Sequence, residues 1–122
     1  MRFLSMVKHT EGKSSPPSKA MMDAVTQFMQ EAAKEGCVMV QSSGLFPTNA
    51  GARVRLAGGK ITVTDGPFTE AKEVIGGWAI LQGTREQVMR AAKEFMELHT
   101  KHWPEFDCES EVRPMFDPGV GP

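Results

Sequence analysis

Apolar positions along the chain fall into two alternating periods, and the switches between them mark the elements. From Arg2 to Lys8, Leu4 and Met6 point one way while Phe3, Ser5 and Val7 point the other. Such a strand carries apolar groups on both faces and belongs in the middle of a sheet. Thr10 to Pro17 is polar, ends in Ser14-Ser15-Pro16-Pro17 and reads as a loop. Met21, Val25, Phe28 and Ala32 then recur at helical spacing, with Ser15 or Ser18 able to cap the first turn and Gly36 to stop the last. A helix from Ser18 to Glu35 follows. Cys37-Val38-Met39-Val40 starts a second strand that leads into Gly44-Leu45-Phe46-Pro47. In Arg53-Val54-Arg55-Leu56, charged and apolar residues alternate; Gly58-Gly59 makes a tight turn and Lys60 to Thr64 returns, predicting a hairpin. Val74 to Gln82 is apolar almost throughout and predicts a strand buried on both faces. Thr84-Arg85-Glu86-Gln87 is a capping box opening a helix that turns Val88, Ala91, Ala92, Phe95 and Leu98 inward and ends before Pro104. Glu109 to Met115 is the last strand.

The order is therefore strand, helix, strand, hairpin, strand, helix, strand. With the hairpin set aside, the remainder is βαββαβ, an α+β ferredoxin-like arrangement. Residues 1–116 make one domain, and 117–122 are expected to form a fraying tail. Two helices cover one face of such a sheet. The second face is apolar at its centre, and a second copy of the chain is the simplest cover for it. The expectation is a homodimer, a dimeric α/β barrel whose two sheets face each other around a shared interior.

Composition narrows the function. Lys and Arg number 14 and Asp and Glu 15, so the net charge of −1 provides no basic face for direct nucleic-acid binding. No apolar run reaches the roughly 18 residues of a membrane span, and the start is too soon interrupted by Lys8 and His9 for a secretory signal. A cytoplasmic protein with no membrane contact is expected. Cys37 and Cys108 lack the spacing of a disulfide framework or a zinc site. Nine methionines suit either a forgiving core or a plastic pocket.

Several linked motifs carry a resemblance. Gly44-Leu45-Phe46-Pro47, Gly51-Ala52-Arg53-Val54-Arg55, Gly58-Gly59-Lys60, Thr62 to Glu70 with Asp65-Gly66-Pro67-Phe68 at its centre, Gly77-Trp78-Ala79-Ile80 and Glu111-Val112-Arg113-Pro114 closely resemble the YCII-related, or DGPF-domain, family. The resemblance covers nearly the whole chain. It implies a dimeric α/β barrel of ferredoxin-like topology, bacterial and cytoplasmic, and a link to extracytoplasmic-function sigma factors through a protein partner; it assigns no reaction. Two departures matter. Phe46 stands where close relatives carry histidine, and the first helix lacks the histidine of the His/Asp pair proposed for smaller YCII proteins. Of that pattern only Asp65 transfers.

Five residues are candidates for a site. Asp65, beside the Gly66-Pro67 bend, is either a base at a barrel mouth or a cap for the turn. Arg53 and Arg55 share a strand face at period two, and either select an anionic metabolite in a cavity or solubilise an exposed edge. His9 ends the central strand and is either an acid/base partner for Asp65 or a loop histidine. Trp78 either stacks on a ligand or fills the core or dimer interface. His99 and His102 share a helix face but form no metal site without a third ligand. Nothing calls for a cofactor. Two function classes stand: a small-molecule binder with cofactor-free acid/base chemistry, or a regulatory partner protein.

Overall fold

Residues 1–12 and 15–116, which the computed structural model describes, follow that order of elements. They are β1 (Arg2–His9), α1 (Lys19–Lys34), β2 (Val38–Gly44), a short 3-10 turn (Thr48–Ala50), β3 (Ala52–Ala57), β4 (Lys60–Asp65), β5 (Val74–Gln82), α2 (Arg85–His102) and β6 (Cys108–Pro114). The expected tail at 117–122 lies outside the described residues. One sheet has the order β2-β5-β1-β6, with every neighbouring pair antiparallel. Strand order and two helices together make the α+β, ferredoxin-like fold. β3 and β4 pair only with each other, as a two-stranded sheet inserted between β2 and β5.

Local chemistry sets the helix ends. Ser18 Oγ accepts from Met21 N–H at 3.1 Å, and Gly36, at φ 99°, takes the left-handed conformation just beyond α1. In α2, Thr84 Oγ1 accepts from Gln87 N–H at 3.1 Å while Thr84 N–H donates to Gln87 Oε1 at 2.9 Å, the capping box read from the sequence. Both helices lie on one side of the sheet. Phe3, Cys37 and Leu81 from the strands pack there against Ala32 of α1 and Val88 and Ala91 of α2.

The other side differs from expectation. β5 is not buried on both faces: of its residues only Leu81 is buried, and Ile75 is 43% exposed. Leu4, Met6, Trp78 and Ile80 are half-buried, because within one copy no helix covers this face. Toward β6 the face becomes charged, with Lys8 Nζ 3.1 Å from Glu109 and 3.0 Å from Glu111. The hairpin is also largely uncovered. Its cross-strand pairs Val54–Val63 and Leu56–Ile61 leave four apolar side chains 66–72% exposed. No described helix is long and apolar enough to cross a membrane.

Candidate ligand cavity at the end of the central strand

The Asp65-Gly66-Pro67-Phe68 turn is built into the fold by contacts that tolerate no side chain at its glycine. Gly66 N–H donates to Gly51 O at 2.9 Å. A Cβ added to Gly66 would lie 1.7 Å from the Thr48 carbonyl oxygen, so only glycine fits. The following Gly66-Pro67 peptide is cis. Phe68 N–H donates to Thr48 Oγ1 at 3.1 Å, and that hydroxyl donates in turn to Glu11 Oε1 at 2.6 Å. Thr48 N–H reaches Glu11 Oε2 at 2.7 Å. The hydroxyl and N–H of Thr48 together hold the Glu11 carboxyl below the usual carboxylate range, with a smaller contribution from His9. Thr48 thereby ties the loop after β1 to the turn after β4.

At the other end of that loop, β5 carries an extra residue. Val7 pairs with Gly77 and Lys8 with Ile75, leaving Gly76 as a bulge. The His9 ring lies against it, since a Cβ on Gly76 would meet Nε2 at 2.6 Å and Cδ2 at 2.7 Å. Phe106 packs on the same imidazole with centroids 5.0 Å apart, and Trp103 stacks on Phe106 at 3.9 Å and 6°. His99, buried on α2, lies between Phe95 and Trp103 at 4.8 and 6.0 Å. Its Nδ1 is 2.8 Å from the Phe95 carbonyl, which can only accept, so Nδ1 carries a proton and donates there.

These groups border a cavity of about 780 Å³, lined among others by His9, Glu11, Phe46, Pro67, His99 and Trp103. Two of the residues lining it carry buried polar atoms, His9 Nδ1 and Trp103 Nε1, with no hydrogen-bond partner among the described residues. Buried polar groups rarely stay unpaired, and each costs about 1–3 kcal/mol when they do. Among the described residues, the lining contains no lysine or arginine.

The five candidate residues separate. His9 lines the cavity; Asp65, Arg53, Arg55 and Trp78 do not. Asp65 pairs with Ala52 at the exposed end of β4, and no hydrogen bond among the described residues engages its carboxylate. Arg53 is occupied: its guanidinium sits 3.8 Å above the Phe68 ring and pairs with Glu70. Arg55 lies two residues along on the same exposed hairpin face. Trp78, opposite Met6, is on the helix-free face. The cavity itself is on the helix-covered side of a single copy, whereas the sequence pointed to an interior between two sheets.

Glu11, Trp103 and Phe106 were missed, and His99 was weighed only as a metal ligand alongside His102. One signal was legible: His99 continues the inward run Val88, Ala91, Ala92, Phe95 at the next four-residue step, and Trp103 follows four later. No group of three or more His, Cys, Asp or Glu side chains placed to hold a metal occurs among the described residues.

A family model for the YCII-related domain matches residues 1–97. The chain belongs to that family. No curated protein matches it.

Proposed function

We propose that the protein binds a small, predominantly apolar molecule in the His9 cavity, through one polar group that meets the buried His9 and Trp103 nitrogens. Unpartnered polar atoms on two residues that line one cavity carry this reading. An uncharged, ring-bearing compound suits the lining better than the anionic metabolite first expected, because Glu11 is the one fully charged group lining it among the described residues. The imidazoles of His9 and His99, both in the lining, also provide groups suited to acid/base chemistry without a cofactor. Homodimerisation through the helix-free faces belongs to the same proposal, supported by the half-buried Leu4, Met6, Trp78 and Ile80 at the centre of the open sheet.

Side-chain nitrogen NMR with 4-methylphenol as probe tests the binding. The imidazole signals of His9 and His99 and the Trp103 indole N–H are expected to move together and saturate. His9→Gln and Trp103→Phe should each weaken the probe about tenfold, the equivalent of one lost hydrogen bond of about 1.4 kcal/mol. Shifts confined to Trp78 and its neighbours on the open face, with none at His9, would overturn the assignment.

A further inference from the structure

A second cavity adjoins the first. It occupies about 400 Å³ between α1 and the sheet, and its walls include Met22, Val25, Phe28 and Met29 of α1, Met39 of β2 and Phe95 of α2. Val7, Gly77 and Phe95 line both cavities, so the two are neighbours on the helix-covered side with these three residues at their border. Their chemistry differs sharply. Among the described residues, the slot under α1 has no charged residue in its lining. Of its three serines, Ser5 is bonded to Ser110 at 2.9 Å and Ser43 donates to the Gly44 carbonyl at 2.8 Å. Water needs two to four polar partners to settle in a cavity, and Ser42 is the one serine left to offer a hydroxyl. An apolar occupant is favoured instead. Three of the chain's methionines, Met22, Met29 and Met39, stand in these walls, and their unbranched side chains adjust to the shape of what they enclose.

We propose that the slot takes the tail of an elongated amphipathic ligand whose polar head sits at His9 and Trp103. The ligand class is a ring or short head bearing one hydrogen-bonding group and a linear or lightly branched hydrocarbon chain, uncharged throughout. This rests on the reading of the His9 cavity for the head, while the tail site rests on its own lining.

Titration with 4-methylphenol, 4-butylphenol and 4-hexylphenol separates the two. Each methylene moved from water into the slot contributes about 0.8 kcal/mol, or about fourfold in affinity, so methyl to hexyl should gain about a thousandfold. Ala92→Phe, which places a ring into the slot from α2, and Met29→Trp, which does so from α1, should flatten that series to within about threefold. Both should leave 4-methylphenol binding unchanged, which also reports that the variants are folded. Affinity independent of chain length in the native protein overturns the tail site. So does a chain-length dependence that survives both variants, because the tail then lies elsewhere. If the long chains bind and the slot variants abolish the effect, but His9→Gln changes nothing for any member, the tail site stands and the His9 head site falls.

Discussion

Gly66→Ala adds one methyl carbon at the most crowded glycine of the turn. The added carbon would sit 1.7 Å from the Thr48 carbonyl oxygen, whereas ordinary contact begins near 3.4 Å. Neither partner is a side chain that can swing away, so the two backbones must part by about the difference. That opening breaks the Gly66 N–H bond to Gly51 and pulls Phe68 N–H from Thr48 Oγ1. Two hydrogen bonds at about 1 kcal/mol each, plus about 1–2 kcal/mol of overpacking, place the loss at about 3–4 kcal/mol. For a chain of this size that is a fall of roughly 10–15 °C in melting temperature. Gly44→Ala is the matched control: no atom lies within 4 Å of the added carbon and φ is not positive there. It should be neutral or stabilising by up to about 1 kcal/mol, through the less flexible unfolded chain. Urea unfolding of the two variants side by side decides the matter. Should Gly66→Ala unfold within about 0.5 kcal/mol of the native protein, the close approach of Thr48 to this turn is wrong, and so is the account of why the glycine is needed.

Gly76→Ala makes the same chemical change against a side chain, the His9 ring, which can rotate aside; stability should fall by about 1 kcal/mol or less, while 4-methylphenol binding drops about tenfold in the same NMR titration. Glu11 has its folded-state pKa depressed, so its contribution to stability is present above the unfolded value, about 4.3, and disappears as pH falls through the lower folded value. Thr48→Val removes the hydroxyl that contributes most to this, and unfolding measured at several points from about pH 6 to pH 3 should show a shallower loss in the variant than in the native chain. Trp78→Glu puts a charge at the centre of the helix-free face; sedimentation should show one copy where the native protein shows two, with 4-methylphenol binding kept because the cavity lies inside one copy. Val88→Ala, at a fully buried position on α2, should cost about 2–3 kcal/mol by thermal unfolding.

Elements governed by local chemistry were legible without coordinates. The caps at Ser18 and Thr84, the Gly58-Gly59 turn and the bounds of Val74–Gln82 each follow from residues within a few positions of one another. So did the topology, because the alternation of periods leaves βαββαβ once the hairpin is removed. The burial of β5 was misread for a related reason: an apolar run says that a strand prefers cover, not that one copy of the chain supplies it. Asp65 drew attention through its place in a recurrent turn. In the fold, the residue that holds that turn to the cavity is Thr48, whose hydroxyl and carbonyl act on segments 37 residues upstream and up to 20 residues downstream. Contacts of that separation leave no periodic trace.

His9 shows how a bulge decides which side of a sheet carries chemistry. An uninterrupted β5 would set a side chain at position 76 against the imidazole. The extra residue, and its being glycine, lets the ring lie over the backbone and meet Phe106 and the α2 aromatics instead. Leu45 N–H closes on the Gly76 carbonyl at 2.9 Å, so the same bulge positions the loop that bears Phe46 at the cavity wall. One inserted glycine thus gathers His9, the Leu45–Pro47 loop and the end of α2 around a single hollow. The proposed functions divide between the two sides of the sheet: the helix-covered side holds the cavity, and the open side bears the half-buried Leu4, Met6, Trp78 and Ile80 on which pairing with a second copy is proposed. Binding and pairing are then separable by mutation, since no residue of the open-face quartet lines the His9 cavity.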